Sequence, residues 1–148
     1  NDVPEFRQRI EGDGIVEFAH CPTSHTVALE DGTYCYCTLR SDMPFEEYLP
    51  RAVQAQQAAQ QARCVEDGEE EAGSLIFIST LPWFSYESLI QPVPAPADSN
   101  PRITWGRYTR EGGRVRMPVT ALCHHALVDG LHLARFYEAL EARCRGLL

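Results

Sequence analysis

The chain reads as a single α/β domain spanning residues 1–148, and three features of its sequence point there. Short runs rich in β-branched and aromatic residues recur between Gly and Asp. A long stretch after Pro44 is dominated by Ala, Gln and Glu, which favour helix. The end of the chain repeats apolar residues at three- and four-residue steps, the spacing of one helix face. With 148 residues and 44% hydrophobic content, the chain can bury one core, and one domain is the expectation.

Taken in order, the segments Ile15 to Phe18, His25 to Leu29 and Thr33 to Leu39 read as successive strands of a meander. Ser41 and Asp42 precede Pro44, a helix-start signal, and the helix is expected to run to about Cys64, with Pro50 kinking it or delaying its start. Five acids between Glu66 and Glu71 favour a solvated loop. Ser74 to Thr80, "SLIFIST", is a short apolar run expected to form a strand buried on both faces. "QPVPAPADSNP" carries four prolines and reads as an extended loop. Strand-like runs from Arg102 to Tyr108 and from Arg114 to His124 flank "TREGG" and predict a β-hairpin. After Asp129-Gly130, the apolar positions Leu133, Phe136, Tyr137, Leu140, Cys144 and Leu147 predict a terminal helix packed on the sheet.

Charge and composition narrow the function. The net charge of −8 argues against a nucleic-acid partner. All 13 basic residues are arginine, and five of them (102, 107, 110, 114 and 116) cluster where they could meet an anion locally, although a solvated hairpin surface is the plainer reading. No window has the roughly 18 apolar residues of a membrane span, and the first residues lack the charged and apolar regions of a leader, so a soluble, cytoplasmic chain is expected. The six cysteines show no CxxC pair and read as reduced, mostly buried thiols, with Cys35 and Cys37 on one face of a strand in the core or a pocket wall.

The segment Cys123 to Gly130, "CHHALVDG", carries the chemistry. It falls between a strand end and a helix start, and on an extended backbone His125 points with Cys123 while His124 points away, so one histidine serves a given cleft. An imidazole held there can accept a proton near neutral pH if its other nitrogen is fixed as a donor.

The pattern HHxxxDG before a closing helix resembles the active-site signature of the chloramphenicol acetyltransferase family. "PEFR" at Pro4–Arg7, "FISTLPWFSYESL" at Phe77–Leu89 and the segment from Ile103 to Phe136 resemble family segments, in the family's order. The resemblance implies a mixed sheet covered by helices, of the CoA-dependent acyltransferase kind. It implies acetyl transfer from acetyl-CoA to a hydroxyl of chloramphenicol, hence antibiotic resistance, with no metal. His125 would be the general base, Ser79 the donor to the oxyanion, and Thr104 a helper through bound water. Trp83 and Tyr108 would line the coenzyme A channel, and Thr26 and Tyr34 the acceptor pocket. A homotrimer is implied, with each site between subunits. Asp129 would be a structural aspartate. The family arginine that pairs with it lies upstream of "PEFR", along with the first strand, early helices and much of the acceptor wall. The resemblance thus implies an N-terminally incomplete domain and a buried, unpaired Asp129, which is costly.

Other readings compete. Taken singly, Ser79 is an ordinary strand-end hydroxyl, Thr104 an ordinary strand residue and Trp83 a core aromatic; their ordered occurrence with the histidine motif changes that. His124, His125, Asp129 and His132 could ligate a metal, but the first two diverge on a strand. A Ser79–His125 hydrolase lacks a GxSxG elbow around the serine. Peptide-synthetase condensation domains share HHxxxDG, so the acceptor is less determined than the reaction, and an O-acetyltransferase for another hydroxylated acceptor stands beside the first reading. A catalytically incompetent fragment or CoA-binding module of the same fold is the alternative from a different class.

Overall fold

Strands and helices are built around one five-stranded mixed sheet in the computed structural model, which describes residues 1–63 and 72–146. The chain opens with a 3₁₀ turn at Pro4–Arg7, where proline suits the first helical positions. It continues into a two-stranded antiparallel ribbon of β1 (Gln8–Glu11) and β2 (Gly14–Glu17). β3 (Thr23–Ala28) and β4 (Tyr34–Leu39) form a second hairpin. Helix α1 (Phe45–Ala62) follows, then β5 (Ile76–Leu81) and β6 (Arg102–Gly106). β7 (Thr109–Glu111), β8 (Arg114–Arg116), β9 (Val119–Leu122) and helix α2 (Gly130–Arg145) complete the described chain. The main sheet has the order β4-β3-β5-β6-β9, with β3, β5 and β6 parallel and the two outer strands antiparallel to their neighbours.

Several expectations are corrected by this arrangement. The Ile15 to Phe18 run is a strand, but it pairs with β1 rather than joining a meander with β3; β1 itself, "QRIE", has too little apolar patterning to be read as a strand. Pro50 does not delay the start of α1, which runs from Phe45 through it: Glu46, whose carbonyl loses its amide partner there, and Pro50 are both exposed, so water can satisfy the freed oxygen. β5 is not buried on both faces, since Ser79 and Thr80 are exposed. The long hairpin is present but broken into two ladders, β6–β9 and β7–β8. The break falls at Met117-Pro118, where proline lacks the amide a continuous ladder needs. The Pro-rich loop is extended as expected, with a cis Ala95-Pro96 bond. The expected helix end at Cys64, the acidic loop from Glu66 to Glu71 and Leu147 lie outside the described residues.

Ladder partners point to the same face of a sheet, so the registers sort the side chains. One face carries Val27, Cys35 and Cys37, buried against Ala55 and Ala59 of α1. The same face presents Ile76 and Ile103 toward Phe136, Ala139 and Leu140 of α2 across a cavity of 170 Å³. Both described helices therefore lie on one side. A second core cluster joins the chain's start to α2: Val3, Phe6, Leu127 and Val128 are buried together, and the Phe6 and Phe136 rings stack at 4.8 Å.

A buried arginine closes the structure at the ribbon. Arg9 is 2% exposed and donates to the carbonyls of Gly73 (2.9 Å), Leu75 (2.8 Å), Phe6 (3.1 Å) and Gln8 (2.6 Å). Asn100 Nδ2 donates to Leu75 (2.8 Å), Ala72 (2.8 Å) and Gly73 (3.3 Å), so two side chains hold the same segment.

Candidate active site

The histidine pair sits one step beyond where the strand pattern placed it. β9 ends at Leu122, and residues 124–128 form a turn in which the His124 carbonyl accepts from the amides of Leu127 and Val128. The alternation argument for His124 and His125 therefore does not apply. Leu127 and Val128 are buried in the core cluster, which anchors the turn while both histidines remain exposed.

Each imidazole in the segment is engaged. His124 Nδ1 accepts from the Ala126 amide at 3.3 Å. His125 Nδ1 lies 3.3 Å from the Val128 carbonyl. A carbonyl only accepts, so this nitrogen carries the proton and Nε2 keeps its lone pair. Among the described residues no group of three or more His, Cys, Asp or Glu is placed to hold a metal. Cys123 beside them is no nucleophile: burial pushes its thiol up to about 11.

Asp129 is not a buried, unpaired carboxylate. It is the N-cap of α2, 57% exposed, accepting from the amides of Leu131 (2.9 Å) and His132 (3.3 Å). The His132 imidazole returns the favour, taking the Asp129 amide at 3.1 Å, so the pair forms a reciprocal cap. The amides of His132 and Leu131 hold the Asp129 carboxyl below its ordinary range. Among the described residues no arginine pairs with it.

Ser79 and Thr104 lie on the face opposite the helices. They are ladder partners, and Thr104 is in turn paired with Thr120 of β9. Carried one step further, the β3–β5 register sets Thr26 level with Ser79, and Thr26 is paired with Tyr36 of β4. The result is a line of hydroxyls crossing all five strands. Tyr34 lies on this face too, 51% exposed, with its ring edge-on to Tyr36 at 5.7 Å. Thr104 is 3% exposed, and its carbonyl accepts from Tyr86 Oη at 2.9 Å, while Thr120 Oγ1 donates to Tyr86 Oη at 3.1 Å.

The loop bearing Tyr86 is pressed close against β6. A Cβ on Gly106 would come within 3.0 Å of the Phe84 carbonyl, Pro118 and the Tyr86 ring. Trp83 and Tyr108, 70% and 55% exposed, follow the C-terminal ends of β5 and β6 at the same end of the sheet. The hairpin arginines 107, 110, 114 and 116 are solvated, with Arg110 over the Tyr108 ring, while Arg102 pairs with Asp98 at 2.6 Å.

Within one chain these parts form two groups. Ser79 is level with Thr120, so two strand spacings and two residues of rise put about 12 Å between the Cα atoms of Ser79 and Leu122. His125 lies three residues past Leu122, and no hydrogen bond joins it to Ser79. Sequence reasoning missed Tyr86, which no motif marks, and Glu5, which lies 3.4 Å from His132 Nε2. The spacing of Asp129 to His132 fits an N-cap and third-position pair, a signal passed over because the family resemblance implied an arginine partner for Asp129.

A mixed sheet with its helices on one face and a histidine turn closing into the last helix is the fold of known acyltransferases. Chloramphenicol acetyltransferase in a solved structure superposes with a TM-score of 0.76 at 24% identity, covering 95% of this chain and 70% of that one. The dihydrolipoamide acetyltransferase of Azotobacter vinelandii superposes with a TM-score of 0.69 at 16% identity, covering 94% and 60%. The family model described as chloramphenicol acetyltransferase matches residues 1–141, and the chain belongs to that family. Chloramphenicol acetyltransferase 2 of Escherichia coli is 29% identical over 152 residues, spanning 100% of this chain and 70% of the relative. Chloramphenicol acetyltransferase 3 of Escherichia coli is 39% identical over a shorter span of 72 residues, which is 48% of this chain and 34% of that one.

Proposed function

We propose that the protein moves the acetyl group of acetyl-CoA to a hydroxyl of chloramphenicol and so confers resistance to it in the cytoplasm. The observation that carries this reading is the His125 Nδ1 contact with the Val128 carbonyl, which leaves Nε2 as a base on a turn anchored by Leu127 and Val128. His125 Nε2 takes the proton of the acceptor hydroxyl as its oxygen bonds to the thioester carbonyl carbon. Ser79 donates its hydroxyl to the oxygen that becomes negative, with Thr104 beside it. As the tetrahedral centre collapses, the carbon–sulfur bond breaks and His125 returns the proton to the departing thiolate. Trp83 and Tyr108 offer aromatic surface to the coenzyme arm, and Thr26 and Tyr34 border the acceptor. No metal takes part.

That no hydrogen bond joins Ser79 to His125 within one chain supports a site completed between copies, in a homotrimer. One subunit supplies His125 and its neighbour supplies the hydroxyl-bearing face. The test is thiol release from acetyl-CoA on adding chloramphenicol. Release should fall about 10²–10⁴-fold in His125→Ala and about 10²–10³-fold in Ser79→Ala. A panel in which another hydroxylated compound is preferred would replace the acceptor but keep the reaction. Folded protein that binds CoA without turnover would instead favour a CoA-binding module. An active preparation that sediments as a single chain would refute the shared site.

A further inference from the structure

The peptide unit between Val128 and Asp129 is gripped from both sides. Its carbonyl oxygen faces His125 Nδ1 at 3.3 Å, and its amide faces His132 Nδ1 at 3.1 Å. His132 Nε2 in turn lies 3.4 Å from Glu5 Oε1 on the opening 3₁₀ turn. Glu5 and His132 are mostly enclosed, at 22% and 20% side-chain exposure.

Proton placement along this line follows from what each group can do. A main-chain amide always donates, so His132 Nδ1 must present a lone pair to Asp129. The neutral ring then carries its proton on Nε2, where a carboxylate is waiting. His132 Nδ1 also comes within 3.2 Å of Asp129 Oδ1. That oxygen already accepts the amides of Leu131 and His132, and a proton on Nδ1 would strip the Asp129 amide of its acceptor. The arrangement that fits these contacts runs in one direction: His125 Nδ1–H to the Val128 carbonyl, Asp129 N–H to His132 Nδ1, His132 Nε2–H toward Glu5 Oε1. Hydrogen bonds aligned head to tail polarise one another and strengthen together.

We propose that Glu5 and His132 are positioning residues that fix the tautomer of His125 through the 128–129 peptide, so that a carboxylate orients the base without touching it. This rests on the reading of His125 as the general base. The usual neighbour of a catalytic imidazole is a carboxylate bonded directly to it. Here the nearest carboxylate in the motif, Asp129, is spent on capping α2, and the orienting charge comes from the other end of the chain. No proton moves along the line during reaction; its work is to keep the lone pair on Nε2.

Imidazole ¹⁵N NMR of the substrate-free protein tests this apart from any activity. His125 should be protonated on Nδ1 and His132 on Nε2, and Glu5→Ala should turn His125 into a mixture of tautomers while the fold, read by circular dichroism, persists. In acetyl transfer, Glu5→Ala and His132→Ala should lower kcat about tenfold, less than the roughly 10⁴-fold lost when a carboxylate bonded directly to a catalytic imidazole is removed because a peptide unit intervenes, with KM for acetyl-CoA unchanged. His132→Gln, which can still accept from the Asp129 amide and donate to Glu5, should recover most of kcat. His132→Glu, which keeps the cap but faces Glu5 with a like charge, should not. A proton on His132 Nδ1, or a His125 tautomer unmoved by Glu5→Ala, would overturn the proposal. A tautomer that shifts as expected in a protein without acetyl transfer would leave this proposal standing and refute the reaction.

Discussion

Replacing Arg9 by Met removes six donated hydrogen bonds, to the carbonyls of Gly73, Ser74, Leu75, Phe6 and Gln8 and to Cys21 Sγ, and leaves different carbonyls in different states. Those of Gly73 and Leu75 keep Asn100 Nδ2 as a second donor, whereas those of Phe6 and Gln8 lose the one side-chain donor they have. An orphaned buried carbonyl costs about 1–3 kcal/mol. Two of them, partly offset because Met need not carry a desolvated charge, come to about 3 kcal/mol. For a chain of this size that lowers Tm by about 6–12 °C. Asn100→Ala alone should cost less, since Arg9 still serves Gly73 and Leu75. Combined with Arg9→Met, it strips both carbonyls of their last side-chain donor, so the double variant should lose more than the sum of the singles. Urea unfolding supplies the numbers, through midpoint shifts at unchanged slope. An Arg9→Met variant within 1 kcal/mol of the parent, or strict additivity, would refute the shared-donor reasoning.

Three further outcomes are expected. Asp129→Ala removes a carboxylate whose folded-state pKa is depressed, so its stabilisation is present above the unfolded value and lost as pH falls through the folded one. The gap in Tm between parent and variant should therefore narrow as pH drops below the ordinary carboxylate range of about 4, and a constant gap would contradict the cap. At pH 8 a thiol reagent mapped by mass spectrometry should label the exposed Cys144 and spare Cys123, whose thiol burial raises to about 11, until the protein unfolds; prompt labelling of Cys123 would contradict its burial. Gly106→Ala forces a methyl within 3.0 Å of a backbone oxygen, a proline and a tyrosine ring, and should cost about 1–3 kcal/mol in urea unfolding.

The sequence made the secondary elements legible where one periodicity dominated. α1 and α2 follow helix-forming composition and apolar spacing, and β3, β4, β5 and β6 follow β-branched runs bounded by turn residues. What stayed hidden depended on contacts between distant segments. β1 is a strand because β2 pairs with it and Arg9 buries it, and neither cause is local. The histidines looked like the end of a strand because the ladder's last residue is set by β6 rather than by β9 alone. Asp129 was expected to need an arginine, but the two amides that satisfy it come from its own helix. Ser79 and Thr104 were assigned by likeness to a family, and their adjacency emerged once the register was known. Glu5 lies 127 residues from His132, and nothing in the sequence joins them.

Along the line of hydroxyls on the helix-free side of the sheet, Thr104 is buried and Thr120 is committed to Tyr86, so the exposed rotors of its floor are Thr26 and Ser79. A hydroxyl can turn to give or to receive, so such a floor has no fixed polarity and imposes little preference among polar molecules resting on it. Under the function proposed above, selection would come from the walls, and variants that change which alcohol is accepted would map to side chains above this surface, while those on it would alter speed.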